Sequence, residues 1–295
     1  MGKSTAFDPG IAFSRTLGLV TREEMQKLHR STVAIAGLGG VGGSHLMTLA
    51  RLGVGGFHVA DFDTFELENF NRQAGATVDT VGRPKIEVMS GLARQINPGV
   101  NIRAFPAGIN SDNISEFLDG VDVYVDGLDY FVFKIRSEIF KACYDKRIPA
   151  VTAAPLGMGV ALLNFLPGKM SFEQYFGWKD ADSDVTKAIK FLVGLAPSLP
   201  QRRYIVDLSY VDFKRGKGPS TPMACELCAG YAGTEVLKLL LGRGKVHPAP
   251  YSLHFDAYMD KFYARKIWLG NRNPLQKLKM GIMRRLLEKQ QSRNS

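Results

Sequence analysis

The chain has 295 residues, of which 45% are hydrophobic and 22% are charged, a balance typical of a soluble globular protein. It contains no apolar run near the roughly 20 residues of a membrane helix, no apolar signal-peptide region at its start, and only three cysteines. We therefore expect a cytoplasmic protein without a transmembrane segment or a disulfide framework, built from one large domain or two small ones.

The net charge of +10 is concentrated at the C-terminal end. Residues 261–295 hold ten Lys or Arg residues against one acidic residue, Glu288, so this segment alone carries +9. Residues 1–260 carry only +1. The basic character therefore belongs to a tail and not to the body of the protein.

The predicted elements alternate between helices and strands along most of the chain. Residues 19–31 predict a helix, because Thr21 is a good N-cap and Glu24 is its capping-box partner three residues later. Short apolar, β-rich runs predict strands at 32–37, 56–63, 101–108, 121–129, 148–155 and 159–169. Further helices are predicted at 43–55, 83–99, 111–120, 133–147 and 224–242. This alternation predicts an α/β fold with a doubly wound, mostly parallel sheet.

The same pattern suggests three regions. Residues 1–30 form a predicted helical arm, residues 31–260 the main domain, and residues 261–295 the basic tail. Within the main domain, the alternation breaks over about 176–222, where charged residues, Gly and Pro accumulate. We interpret this stretch as a mobile crossover segment.

A glycine-rich loop, GLGGVG at 37–42, follows the first strand and opens a helix. In that context backbone N–H groups meet phosphate at a helix N-terminus. The candidate nucleotide-binding glycines are Gly37, Gly39, Gly40 and Gly42. Asp61, about 20 residues downstream at a strand end, is placed to bind ribose hydroxyls. These features fit an NAD enzyme and an ATP enzyme equally well.

The polar residues after Asp61 favour ATP. Hydride transfer does not need side chains that bind phosphate after the ribose-binding Asp. Adenylation of a carboxylate does need Arg and Lys at the phosphates, together with Mg²⁺. Arg72 and Lys85 supply such cations, and the amides of Asn69 and Gln73 can orient polar partners.

Asp129 is the candidate metal ligand. It stands at the end of the strand predicted over 121–129, at the carboxyl edge where α/β sheets bind ligands. A carboxylate beside a triphosphate is most simply a Mg²⁺ ligand.

Together these motifs resemble the ThiF, MoeB and HesA type adenylyltransferases, the superfamily of the ubiquitin-activating enzymes. The family pattern is a glycine loop, Asp-x-Asp, Ser-Asn-Leu-Asn-Arg-Gln, a Lys and a later strand-end Asp. This chain reads GLGGVG, DFD, ENFNRQ, Lys85 and Asp129. The resemblance implies a Rossmann-like ATP-binding adenylation domain that uses ATP and Mg²⁺. Its substrate would be a carboxylate, typically the C-terminal glycine of a ubiquitin-like or sulfur-carrier protein.

The resemblance extends to FSRTLGLVTREEMQKL at 13–28, which is similar to the family's N-terminal arm. In that arm an Arg reaches into the ATP site of the partner subunit. Arg15 would take this role, which implies a homodimer. The implied catalytic residues are Arg15, Arg72, Lys85 and Asp129.

The chain departs from the family at the zinc site that MoeB-like members build from two Cys-x-x-Cys pairs. Ser171 and Gln174 stand where the first pair belongs, and NRNPLQK at 271–277 replaces the second. Cys225 and Cys228 form a Cys-x-x-Cys at the start of a predicted helix, but three cysteines cannot supply four ligands. We predict no zinc site. The helix position would lower the pKa of these two thiols, so a reactive role for them stays open beside simple packing.

Lys134 replaces the Arg that the family carries one turn after the metal-binding Asp, as in the branch that dehydrates a threonylcarbamoyl adenosine on tRNA. The leading hypothesis is adenylation of a ubiquitin-like or sulfur-carrier protein. The alternative is ATP-dependent modification of tRNA, and a remote alternative is an NAD-dependent oxidoreductase.

The tail adds an apolar stripe at helical spacing, Leu275, Leu278, Ile282 and Leu286. The stripe indicates either packing on the body or contact with RNA, an acidic protein or an anionic membrane.

Overall fold

The computed structural model describes residues 7–211 and 218–294. Its strands form one eight-stranded sheet in the order β3-β2-β1-β4-β5-β6-β7-β8. The strands are β1 Thr32–Ala36, β2 Gly56–Ala60, β3 Asn101–Phe105, β4 Val123–Asp126, β5 Ala150–Leu156, β6 Gly159–Phe165, β7 Tyr251–Asp256 and β8 Lys261–Lys266. The helices are α1 Pro9–Ala12, α2 Arg22–Arg30, α3 Gly40–Arg51, α4 Lys85–Ile96, α5 Ile114–Phe117, α6 Phe133–Asp145, α7 Phe172–Phe176, α8 Asp184–Leu195, α9 Pro222–Leu241 and α10 Pro274–Asn294.

The sheet is parallel from β3 to β5 and antiparallel from β5 to β8. The central strands are buried on both faces, as their continuous apolar runs predict, with Val33 opposite Val123 and Ile35 opposite Val125. One apolar core lies between the sheet and α3, α4 and α9, and a second lies between the sheet and α5 to α8. The predicted α/β fold with a mostly parallel sheet is confirmed.

The start of α2 confirms the capping box predicted from the sequence. Thr21 Oγ1 accepts a hydrogen bond from Glu24 N at 3.2 Å, and Glu24 Oε2 accepts one from Thr21 N at 2.9 Å. These bonds satisfy two backbone donors that the first helical turn leaves without partners.

The ends of β1 and β4 meet the start of α3 through glycines. A Cβ added to Gly37 would lie 2.3 Å from Gly127 O, and one added to Gly42 would lie 1.8 Å from Gly37 O. Gly37 also has a φ of +85°, which favours glycine. The strand predicted over 121–129 is shorter in the structure and ends at Asp126, next to Gly127, where the three segments touch.

The stretch interpreted as a crossover contains a helix that the sequence pattern did not reveal. Helix α8 is capped by Ser183, and its Phe191, Val193 and Leu195 are buried. Residues 212–217, further along the same stretch, lie outside the described residues. The proposed mobility of this stretch stays a prediction.

The segment interpreted as a basic tail begins inside the sheet, because β8 pairs with β7 along its whole length. Helix α10 follows and lies against α8. The side chain of Gln276 is buried there, and Gln276 Nε2 donates to Val193 O at 3.0 Å. The apolar stripe, for which packing on the body was one interpretation, is exposed instead. The exposed fractions are 66% for Leu275, 61% for Leu278, 49% for Ile282 and 56% for Leu286.

Within the described parts of the chain, none of the helices combines the length and the apolar character needed to cross a membrane.

Candidate active site

A cavity of about 890 Å³ opens at the carboxyl ends of β1, β2, β4 and β5. Strands β2 and β4 leave β1 on opposite sides, so the cavity lies at the point where strand order reverses, the usual ligand site of such sheets. Its polar end is lined by Gly37, Gly39, Asp61, Arg72, Gln73, Lys85 and Asp129. Its apolar end is lined by Pro155, Leu156, Leu192, Ile205 and Val211.

Three of the four predicted glycines line the polar end, namely Gly37, Gly39 and Gly40. Gly42 lies outside the lining. It is buried in α3, and its place is explained by the close approach to Gly37 O. Gly42 therefore packs against the glycine loop, and its assignment as a nucleotide contact stays a prediction.

The loop leaving β2 holds Asp61 firmly. Its Oδ2 accepts from Leu38 N at 2.6 Å and its Oδ1 accepts from Asp63 N at 2.8 Å. Burial raises the pKa of Asp61, while the two backbone hydrogen bonds oppose that rise. The carboxylate lines the cavity from a fixed position, as binding of ribose hydroxyls would require.

The two predicted phosphate-binding cations both line the cavity. Lys85 is buried at the first turn of α4, and its Nζ lies 3.0 Å from Asp63 Oδ2. The sequence analysis gave Asp63 no role, yet it is the residue that orients this lysine. Arg72 Nη1 donates to Glu68 O and to Asn71 Oδ1, both at 2.9 Å.

The two amides predicted to bind nucleotide lie in different environments. Gln73 lines the cavity, is 7% exposed, and its Oε1 has no hydrogen-bond partner among the described residues. Asn69 does not line the cavity, and its Oδ1 accepts from Glu66 N at 3.0 Å inside the turn that carries Arg72. Asn69 thus shapes the loop, and its assignment to the nucleotide site stays a prediction.

Asp129 lies after β4, exposed at the cavity wall. Its Oδ1 accepts from Phe131 N at 3.1 Å, and its second oxygen has no hydrogen bond among the described residues. The part of the chain that the structure describes has no group of three or more His, Cys, Asp or Glu side chains able to hold a metal ion. One carboxylate fits Mg²⁺ only where phosphate oxygens and water supply the other ligands, which is how Mg²⁺ usually binds beside nucleotides.

Asp126 and Arg136 form a buried ion pair behind Asp129, with Asp126 Oδ2 2.9 Å from Arg136 Nε. Thr152 Oγ1 donates to the same carboxylate oxygen at 3.0 Å. Sequence reasoning missed Arg136. The sequence signal for it was an arginine near the start of the predicted helix that follows a buried strand ending in Asp.

The remaining predicted residues are spread more widely. Arg15 is exposed on the N-terminal arm and is absent from the lining of the cavity of its own chain. Lys134 is exposed on α6 and also lies outside the lining. Ser171 and Gln174, at the missing zinc ligands, instead form the capping box of α7. The absence of zinc stays a prediction.

Cys225 lines the cavity in the first turn of α9, while Cys228 is buried one turn later, outside the lining. Burial raises the pKa of both thiols, although a hydrogen bond from Ser220 and the charge of Arg72 act the other way on Cys225. The expectation that the helix N-terminus lowers these pKa values was wrong, because desolvation outweighs it.

A model of the ThiF family matches residues 13–277, almost the whole chain. The chain belongs to the ThiF family. The resemblance seen in the sequence motifs is thereby confirmed, and it extends beyond the glycine loop to the crossover, the last strands and the start of α10.

The chain is also similar to several characterised relatives of this family. It is 34% identical over 142 residues to the tRNA threonylcarbamoyladenosine dehydratase of Bacillus subtilis, covering 48% of this chain and 55% of the relative. It is 32% identical over 148 residues to the sulfur carrier protein ThiS adenylyltransferase of Escherichia coli, covering 50% of this chain and 58% of the relative. The chain therefore spans little more than half the length of these two relatives.

Among solved structures, PaaA superposes with a TM-score of 0.66 at 18% identity, covering 90% of this chain and 76% of PaaA. The E. coli MccB structure with ATP superposes with a TM-score of 0.62 at 18% identity, covering 82% of this chain and 65% of MccB. At these identities the structures establish a shared fold.

Proposed function

We propose that this protein uses ATP to adenylate a carboxylate and releases pyrophosphate. The observation that carries the proposal is the meeting of Gly37, Asp61, Arg72, Lys85 and Asp129 around one cavity at the sheet's switch point. A dehydrogenase would need the first two of these features but not the two cations and the second carboxylate. Adenylyltransferases among the relatives support the same reading.

In the proposed complex, Asp61 accepts hydrogen bonds from the ribose hydroxyls. The glycine loop admits the phosphates to the N-terminus of α3, while Arg72 and Lys85 reduce their negative charge. Mg²⁺ held by Asp129 and the phosphates would stabilise negative charge during the transfer. The substrate carboxylate attacks the α-phosphorus, an oxygen–phosphorus bond forms, the bond to the β-phosphate oxygen breaks, and pyrophosphate leaves.

The apolar end of the cavity supports the acyl side of this reaction. Leu156, Leu192 and Ile205 form its wall, next to the β5–β6 turn. An acyl group seated there would exclude water from the α-phosphate, and electrostatic interactions with the phosphates strengthen when water is excluded. The substrate carboxylate would then point toward the polar end.

We further propose that the carboxylate is the C-terminal glycine of a ubiquitin-like or sulfur-carrier protein and that the enzyme is a homodimer. The ThiS adenylyltransferase similarity supports the first part. A threonylcarbamoyl group on tRNA is the second candidate, supported by the dehydratase similarity and by three cations that lie close together, Lys279, Arg265 and Arg202. Burial, and then the charges of Arg265 and Arg202, lower the pKa of Lys279, so three cations share one surface region that suits phosphate.

The test is ATP–pyrophosphate exchange, measured with Mg²⁺ and either purified Gly-Gly-ended carrier proteins or total tRNA. Exchange stimulated by a carrier protein supports the leading proposal, and ATP consumption stimulated by tRNA supports the second candidate. Asp129→Asn should slow the reaction by on the order of 100- to 1,000-fold, because it removes a charge needed in the transition state. Binding of NADH in place of ATP would overturn adenylation altogether.

A further inference from the structure

The guanidinium of Arg136 in α6 uses all five of its N–H donors inside the protein, where its side chain is 2% exposed. Nε donates to Asp126 Oδ2 at 2.9 Å. The other four bonds go to four carbonyls of the loop between β4 and α6. These acceptors are Leu128 O at 2.7 Å, Asp129 O at 2.8 Å, Tyr130 O at 3.2 Å and Val132 O at 3.0 Å.

This loop, residues 128–132, is the segment that carries Asp129 at the cavity wall. Few hydrogen bonds of its own backbone stabilise it: Val132 N donates to Asp129 O, and Phe133 N donates to Phe131 O. Four carbonyls of this short loop accept hydrogen bonds from one guanidinium, so the side chain of Arg136 helps to determine where the loop lies. The planar fork of an arginine can bind several acceptors at fixed angles, which a lysine ammonium cannot do.

Arg136 also connects the loop to helix α8. Its guanidinium lies over the ring of Phe191, with the central carbon 4.8 Å from the ring centroid. From the loop itself, Tyr130 OH donates to Ala188 O at 2.7 Å. Phe191 is followed by Leu192, which lines the apolar end of the cavity. The loop with the proposed metal ligand and the helix beside the proposed acyl site are thus fixed to the same arginine.

We propose that Arg136 is a positioning residue that holds Asp129 where it can bind Mg²⁺ with the nucleotide. This inference rests on the proposed function, because it assumes that Asp129 is the Mg²⁺ ligand. Arg136 also borders the cavity, but all five of its N–H donors are used inside the protein, so it acts by fixing the four carbonyls around Asp129. Arg136 is itself held by two contacts: the ion pair with Asp126 at the end of β4, and the ring of Phe191 in α8.

The test measures equilibrium binding of α,β-methylene-ATP, which the enzyme cannot cleave at the reacting bond, with and without Mg²⁺. In Arg136→Lys, affinity without Mg²⁺ should stay within about twofold of the original, because the contacts of the glycine loop and Asp61 remain. The gain in affinity that Mg²⁺ gives should fall about tenfold or more. Tyr124→Phe is the matched control, since Tyr124 OH reaches the same Asp126 carboxylate, at 3.4 Å, without touching the loop.

A double-variant comparison separates positioning from general support of the fold. If Arg136 acts through Asp129, adding Arg136→Lys to Asp129→Asn should leave the residual effect of Mg²⁺ unchanged. Equal loss of affinity with and without Mg²⁺, or additive losses in the double variant, would overturn the positioning role. An unchanged effect of Mg²⁺ in Arg136→Lys would also overturn it, while leaving adenylation standing.

Two further results decide the inference where Arg136→Lys alone does not. If Arg136→Lys does not fold, Phe191→Leu removes the aromatic face over the guanidinium, together with the ring contacts of Phe191 in the core. It should reduce the effect of Mg²⁺ in the same direction, by a smaller factor. Retention of the full effect in Phe191→Leu would then count against the inference. If the unaltered protein gains no affinity from Mg²⁺, the metal assignment in the proposed function fails, and this inference fails with it.

Discussion

At the scale of single residues, Asp126 and Asp129 show why two carboxylates three positions apart have different surroundings. Asp126 is the last residue of β4 and is buried against Arg136 and Thr152. Asp129 lies past the turn at Gly127 and is exposed. The sequence VDVYVDGLD predicts a strand and two carboxylates at its end, but not the contact between Gly127 and Gly37 next to which the strand ends. Asp126 therefore has a structural role as the partner of Arg136, which Asp129 does not share.

These different surroundings predict changes of very different size in the free energy of unfolding when each Asp is replaced by Asn. Asp126→Asn should lower the free energy of unfolding by about 3–5 kcal/mol, because the buried Arg136 loses its counter-charge. Asp129→Asn should change it by no more than about 0.5 kcal/mol, as expected for an exposed side chain. Urea unfolding of the two variants measures both values. A stable Asp126→Asn protein would contradict the view that this pair holds the loop.

At the scale of elements, helix α10 shows how far an amphipathic pattern can mislead. Its apolar stripe at i, i+3 and i+4 spacing is typical of a packed face, yet the protein buries Gln276. The reason lies in the surface of α8, where Val193 O near the helix C-terminus needs a donor that the helix itself cannot supply. Such a partner depends on tertiary contacts that sequence periodicity does not contain. The sequence did not predict α8, β7 and β8 either, because their apolar patterns are interrupted and these elements depend on tertiary contacts.

The burial of Gln276 makes a prediction about α10. Gln276→Leu should lower the free energy of unfolding by about 1–3 kcal/mol, because it leaves the buried Val193 carbonyl without a donor. The matched variant Leu278→Ala, at a side chain that is 61% exposed, should have an effect within about 0.5 kcal/mol. Thermal and urea unfolding of both proteins decide the matter. The reverse order of effects would mean that α10 packs through its apolar stripe.

At the scale of the whole molecule, the sequence predicted the architecture well because β1, β2, β4 and β5 are largely apolar, with helices between the strands. The motifs also located most of the cavity, since residues after strand ends share one edge of a parallel sheet. Gly42 and Asn69 lie outside the lining of the cavity, because sequence spacing does not distinguish a residue that faces a cavity from one that supports its neighbour. The predicted role of Arg15 requires a second subunit, so it stays a prediction.

The shared-site prediction can be tested by mixing two inactive variants. Arg15→Ala and Asp129→Asn should each lower adenylation without unfolding the protein. After subunit exchange in an equal mixture, roughly a quarter of the original activity should return, because half of the dimers are mixed and each has one intact site. Pyrophosphate release before and after exchange provides the measurement. No recovery in a mixture shown to contain mixed dimers would place Arg15 outside the partner's site.

The outer strand of the sheet has a consequence for how copies of this protein meet. Strand β8 is the last strand of the sheet, and no strand of the described residues pairs with its outer side, so its edge could pair with a strand of another molecule. Lys261, Arg265 and Lys266 project from that edge and are exposed. Pairing two such edges would bring like charges together and remove them from water. The basic residues of β8 thus oppose edge-to-edge aggregation, whatever anionic partner they also contact.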